Sequence, residues 1–134
     1  MNDSILIEVS CALIQKDGCL LATRRSKQMP HALKWEFPGG KLLNGELPAE
    51  SIIREIREEL GIEIEVLEAM SAVNYQYPAH TVKLLPFICE LKGGEIRLTE
   101  HQEFLWVDCK ALDQLDWLEA DVEVLRQFKS RYCP

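Results

Sequence analysis

The chain has 134 residues, 47% of them hydrophobic, and a formal net charge of −7. That length suits one domain, and the apolar share is too high for a disordered chain and sufficient for a core without staples. No run approaches the roughly 18 apolar residues of a membrane span, and the acidic balance opposes wrapping on a long nucleic acid while leaving room for one nucleotide held through a metal ion.

Residues 4–15 (SILIEVSCALIQ) are rich in Ile, Leu and Val and read as a strand. Lys16-Asp17-Gly18 is a hairpin signal, with Cys19–Thr23 as the returning strand. Residues 24–36, punctuated by Pro30, read as a loop, and Phe37-Pro38-Gly39-Gly40 as a sharp breaker. A helix is expected from Pro48, because proline suits a first turn, to Gly61, a natural C-cap. Segments 62–74 and 80–91 alternate as strands, Gly93-Gly94 is a second hairpin turn, and a further strand covers Leu105–Val107. A second helix spans 118–130, with Ala120, Val124, Leu125 and Phe128 on one face. Several strands with two helices form an α+β pattern that no linker divides, so residues 1–134 read as a single domain.

The five cysteines, Cys11, Cys19, Cys89, Cys109 and Cys133, are odd in number, widely spaced and free of any C-x-x-C pair. Reduced thiols are expected, rather than a disulfide framework or a zinc site. Met1-Asn2-Asp3-Ser4 lacks the basic start and apolar core of a signal peptide, which makes the cytoplasm the expected address.

The acids are concentrated. Residues 46–65 hold seven glutamates against two arginines. With the helix advancing about 100° per residue, Glu59 lies about 40° and Glu58 about 60° from Glu55, on opposite sides of it. Ala49, Ile52, Ile53, Ile56 and Leu60 share the adjoining arc, which docks on a sheet. Three carboxylates on one turn repel each other, and Arg54 and Arg57 offset only part of that. A hard divalent cation resolves the conflict, since Mg²⁺ takes carboxylate oxygens and shares its shell with substrate phosphates. On spacing alone, a salt-laced solvated helix face fits as well.

Context extends this. Gly40 to Ile62 reads GKLLNGELPAESIIREIREELGI. It resembles the Nudix box, G-x5-E-x7-R-E-U-x-E-E-x-G-U with U bulky and aliphatic, and all nine fixed positions match: Gly40, Glu46, Arg54, Glu55, Ile56, Glu58, Glu59, Gly61 and Ile62. Thr23-Arg24-Arg25, the run Lys34–Lys41, and the tail from Glu100 through Trp106 are similar to the MutT branch. The resemblance implies a mixed sheet sandwiched between helices. It also implies hydrolysis of a nucleoside diphosphate linked to another group, and for this branch a nucleoside triphosphate cut to the monophosphate and pyrophosphate. It implies that Glu55, Glu58, Glu59 and the Gly39 carbonyl bind Mg²⁺, with Mn²⁺ as a substitute, and that Glu100 is a further ligand or base. Arg54 is expected to orient a glutamate through a bidentate pair. Glu46 would brace the loop or helix start, or else face solvent as a plain loop acid. A carboxylate among Glu55, Glu59 and Glu100 takes a proton from water; which one is left open.

For the base and phosphates the resemblance points to Arg25, Trp35, Phe37, Gly40, Lys41, His80 and Asp121. Arg25 could equally be an exposed strand-end arginine, and Trp35 and Phe37 core packing. Asp121 stands where the MutT branch carries an asparagine, and His80 replaces an expected arginine. An ionised aspartate only accepts, which favours a cytosine amine; a protonated one could read 8-oxoguanine. Asp121 could also be only a helix N-terminal acid. Trp117 lines the same pocket or packs beside it. The expected activity is Mg²⁺-dependent nucleoside triphosphate pyrophosphohydrolysis that cleans the nucleotide pool, on 8-oxo-dGTP or on CTP and 5-methyl-dCTP. The alternatives are a Nudix hydrolase of another linked nucleotide, or a non-catalytic nucleotide-binding module. The expected partner is a small nucleotide, with no long nucleic acid and no membrane; the oligomeric state is not legible.

Overall fold

The computed structural model describes residues 5–133, so the readings at Met1–Ser4, including the first residue of the expected strand, lie outside the described residues. Strand β1 (Ile5–Lys16) turns through Asp17 and Gly18, both at positive φ, into β2 (Cys19–Arg24). The segment read as loop and breaker contains two short strands, β3 (Trp35–Glu36) on β2 and β4 (Gly39–Lys41) on β1. Neither is long enough to show a period, and both are set by pairing partners distant in sequence.

Helix α1 (Pro48–Leu60) starts at a proline and stops at Gly61 in the left-handed region, φ 70°. Glu50 accepts the orphan Leu47 N–H at 3.2 Å, half of a capping box. The expected strand over 62–74 is two, β5 (Glu63–Ala69) and β6 (Val73–Gln76), both antiparallel to the long β7 (His80–Gly93). The Gly93-Gly94 hairpin is not formed. The chain instead crosses past α1, where Arg97 N–H bonds the Leu60 carbonyl at 2.9 Å, and β8 (Glu103–Val107) pairs with β2. A 3₁₀ turn (Leu112–Gln114) leads to α2 (Glu119–Tyr132).

β1 and β7 run parallel from Ile5↔His80 to Gln15↔Glu90, and the other pairs are antiparallel, giving the mixed sheet expected. Successive residues of β1 point to opposite faces. Cys11 and Leu13 enter a core with Val124, Leu125 and Phe128 of α2, whereas Ala12 and Ile14 enter a second core with Ile52, Ile56 and Leu60 of α1. One strand thus carries both layers of an α+β sandwich, and α1 is fixed over the β1–β4 pair.

Cys109 and Cys133 form a disulfide, with Cα atoms 5.7 Å apart, which corrects the expectation of five reduced thiols. The bridge ties the end of α2 to the segment after β8, two points that spacing along the chain does not relate. Cys11, Cys19 and Cys89 are free.

Ile56 is fully buried against the sheet. Ile56→Ala should lower unfolding free energy by about 2–5 kcal/mol in urea titrations.

Candidate active site

Arg54 organises the acids of α1. Its Nε and Nη2 donate to the two oxygens of Glu46 at 2.7 and 3.0 Å, a bidentate fork. Nη1 lies 3.0 Å from both Glu55 Oε1 and Glu58 Oε2, and Nη2 reaches the Lys41 carbonyl at 3.3 Å. Glu46 also accepts the Leu43 N–H at 2.9 Å. Its hydrogen bond to Arg54, aided by that amide, lowers the Glu46 pKa to about 2. Glu46 is therefore the brace of this loop and not a free loop acid, and Arg54 gains proton affinity from the same contacts.

Two glycines bring the backbone against this cluster. A Cβ on Gly40 would stand 2.4 Å from the Glu55 carboxylate, and one on Gly39 would stand 1.9 Å from the Ser10 carbonyl oxygen. Beneath them, Ser10 and Ser51 share a buried hydrogen bond of 3.0 Å that joins β1 to α1.

Glu59 points inward. Burial first, then the charges of Glu55, Glu36 and Glu100, raise its pKa to about 8, against the opposing Gly39 amide. Its Oε1 is buried without a partner. Among the described residues no three His, Cys, Asp or Glu side chains converge into a closed cage, and Arg54 engages Glu55 and Glu58. The donor set still fits a divalent cation of the magnesium type. It is all oxygen, it includes an orphan buried carboxylate oxygen, and such an ion asks for one or two carboxylates and completes its shell with phosphates and water. Glu100 lies in the exposed segment before β8, close enough to act on Glu59.

A cleft of about 390 Å³ passes these residues. Gly39, Gly40, Lys41 and Glu59 line it together with Asp121, Tyr77, His31 and His80. Arg25, Glu36 and Phe37 also line it. A larger hollow of about 490 Å³ beside Lys16, Cys19 and Tyr132 touches none of the α1 acids.

Asp121 is 3% exposed, and its Oδ2 accepts the Phe37 N–H at 2.8 Å. Burial and the neighbouring Glu36 raise its pKa to about 8, although Phe37 and Arg25 oppose this. This environment favours the protonated carboxyl, which both donates and accepts. Of the two readings of Asp121 the protonated one is thus favoured, and its place on the cleft wall goes beyond that of a helix-end acid.

His80 stacks on Tyr77 with ring centroids 5.1 Å apart. Phe37 packs on Trp117 at 4.6 Å while still bordering the cleft. Trp35 does not join the site: it is buried in the α2-side core, its backbone pairs with Asp116 and Leu118, and it is absent from the cleft wall. Trp117 also packs, its indole N–H donating to Leu112 at 2.7 Å. Arg25 is not a loose strand-end arginine, because Glu36 at 2.8 Å and the Pro30 carbonyl at 2.7 Å hold it.

Sequence reasoning passed over Glu36, Tyr77 and His31. Glu36 bonds Arg25 and His101, and its charge acts on both Glu59 and Asp121. Its position between two aromatics in β3 was the available signal. Tyr77 and His31 come from loops that only the fold brings together.

A NUDIX domain model matches residues 5–128. The chain is 32% identical over 123 residues to a CTP pyrophosphohydrolase of Escherichia coli K12, covering 92% of this chain and 91% of that protein. It is 28% identical over 124 residues to the 8-oxo-dGTP diphosphatase of the same organism, covering 92% and 96%. Among solved structures, the MutT protein of Methanosarcina mazei Go1 superposes with a TM-score of 0.88 at 27% identity over the whole of both chains.

Gly40→Ala meets only a movable side chain and Gly39→Ala meets backbone. Gly39→Ala should therefore unfold at lower temperature, whereas Gly40→Ala should keep its melting temperature and lose divalent-cation affinity, measured by calorimetry. Asp121 goes from an ordinary pKa of 3.8 to about 8 on folding. The native state then binds the extra proton, so this group's contribution is intact below about pH 4 and is lost as pH rises towards 8. Asp121→Asn should flatten melting temperature against pH across that window.

Proposed function

The chain belongs to the NUDIX family, and from that footing we propose that it is a magnesium-dependent nucleoside triphosphate pyrophosphohydrolase that reads its base through Asp121. It is a hydrolase of phosphoric anhydride bonds with MutT-type relatives. The finer reading rests on one observation: a single cleft is lined both by glycines and a carboxylate suited to a polyphosphate and by a buried Asp121 with a raised pKa, near aromatic rings, suited to a base.

Nudix enzymes use divalent metal ions. Glu55, Glu58, Glu59, Glu100 and the Gly39 carbonyl would hold Mg²⁺, with Mn²⁺ as a substitute. When bound, the ion neutralises the triphosphate and makes the attacking water more acidic. Arg54 presents Glu55 and Glu58 in fixed directions, and Glu46 keeps Arg54 in place. Gly39 and Gly40 let phosphate oxygens approach the backbone, and Lys41 and Arg25 supply cationic donors along the cleft. A carboxylate among Glu55, Glu59 and Glu100 takes the proton of water as it attacks phosphorus, releasing a nucleoside monophosphate and pyrophosphate.

At the base, the Asp121 O–H and C=O form a donor–acceptor pair. Cytosine answers it with N3 and its exocyclic amine. 8-Oxoguanine answers it with O6 and the N7–H. The two relatives named above divide along the same line. Phe37, through its N–H, holds the carboxyl at a fixed angle, and Tyr77 and His80 offer ring faces beside it. On this reading the chain is a nucleotide-pool sanitiser acting in the cytoplasm. No helix of the described residues is long and apolar enough to cross a membrane.

A phosphate-release assay with added pyrophosphatase, over CTP, dCTP, 5-methyl-dCTP, dGTP and 8-oxo-dGTP, checks this. Turnover should require Mg²⁺ and favour a cytosine nucleotide or 8-oxo-dGTP over dGTP. Asp121→Asn should change the ranking of bases without changing the metal requirement; an unchanged ranking removes Asp121 from base reading. Glu58→Gln and Glu55→Gln should each lower kcat by about 100-fold or more, as loss of a group acting in the transition state does.

A further inference from the structure

The segment from Gly94 to Gln102 has no helix or strand, yet it carries Glu100. Its first half packs Ile96 and Leu98 on the α1-side core and bonds Arg97 N–H to the Leu60 carbonyl. Thr99 Oγ1 donates to the Glu59 carbonyl at 3.3 Å, and the Gln102 N–H bonds the Arg24 carbonyl at 2.8 Å. Between them stands His101, whose side chain is 1% exposed. Its Nε2 lies 2.8 Å from Glu36 Oε2, and the other oxygen of Glu36 lies 2.8 Å from Arg25 Nη1. Glu36 faces a guanidinium and accepts, so Nε2 is the donor. Arg25 is fixed in turn by the Pro30 carbonyl.

We propose that His101 is a positioning residue for the hydrolysis: by its bond to Glu36 it fixes the loop that presents Glu100 and ties that loop to Arg25 in the cleft. Three observations converge. His101 is buried while its neighbour Glu100 is exposed, so anchoring one ring inward turns the next side chain outward. The ring's Nδ1 is buried without a partner, a cost that an apolar core residue would not carry. And the acceptor is a cleft-lining acid rather than a distant structural group. A mobile Glu100 would lose effective concentration at the reacting centre, whereas the Glu36–His101 bond holds it there in advance.

The inference rests on the reading of Glu100 as a group that serves hydrolysis, and the test separates the two. Wild type, His101→Ala, His101→Gln, His101→Asn, Glu100→Gln and Glu100→Gln/His101→Ala are compared by steady-state kinetics on the best substrate of the panel. Mn²⁺ binding to the free protein is followed by the loss of the free-ion electron paramagnetic resonance signal, and folding by thermal melts. His101→Ala should lower kcat on the order of 10–100-fold, more than it changes KM, and weaken Mn²⁺ to a similar degree. The glutamine amide reaches the Nε2 position, so His101→Gln should recover most of both; asparagine falls short and should not. In the double variant the His101→Ala loss should vanish, because its effect passes through Glu100.

Unchanged kcat and Mn²⁺ affinity in His101→Ala overturn the proposal. So do losses that multiply in the double variant, or equal behaviour of His101→Gln and His101→Asn; the last comparison decides even if His101→Ala does not fold. If wild type cleaves no triphosphate, the proposed substrate class falls, while the Mn²⁺ measurements still judge His101.

Discussion

The site depends on one guanidinium. Placing Glu46, Glu55 and Glu58 around a single helix turn and the loop before it would repel the loop from the helix, were Arg54 not bonded to all three. The forked pair with Glu46 is the strongest of these contacts by geometry, and it lies where solvent is already partly excluded. It fixes the height of the loop over α1. That in turn sets where Gly39 and Gly40 pass and where the Glu55 carboxylate rests. Arg54 thus works on charge and on shape together: the same contacts that neutralise the acids leave Glu59 without a cationic neighbour.

Burial then separates carboxyl groups that are identical in formula. Glu46, beside Arg54, is held ionised down to about pH 2. Burial, then neighbouring carboxylates that include Glu36, push the pKa of Glu59 and of Asp121 up to about 8. The carboxylates facing Glu59 favour a cation beside it, and at Asp121 burial favours a hydrogen-bond donor where the bare sequence shows an acid. Glu36 links the two. It is anchored on both oxygens by Arg25 and His101, so its charge has a fixed place in the cleft from which to act on each.

The sandwich supplies the rigidity behind this. The parallel pairing of β1 with β7 seats two helices on opposite faces of the same strands. α1 brings the acids, and the first turn of α2 carries Asp121, the residue proposed to read the base. Because β4 leaves β1 at Val9–Cys11 and β7 starts at His80, the glycine loop and the aromatic residues converge on one end of the sheet. The opposite end is closed by the Cys109–Cys133 bridge.

The sequence by itself determined the elements whose signals are local. α1 was legible because its proline start, glycine stop and apolar arc lie within one helix length, and the acids of the box follow at fixed spacing along that helix. The β1–β2 hairpin was legible from Asp17-Gly18. Tertiary structure alone decided what depends on partners far along the chain. It paired β8 with β2, split the expected strand at Met70–Ala72, bridged Cys109 to Cys133, and set buried Phe37, but not buried Trp35, against the cleft. It also raised the pKa of Asp121, because a side chain's proton affinity depends on the solvent it loses and the neighbours it gains on folding, and neither is written at its own position in the chain.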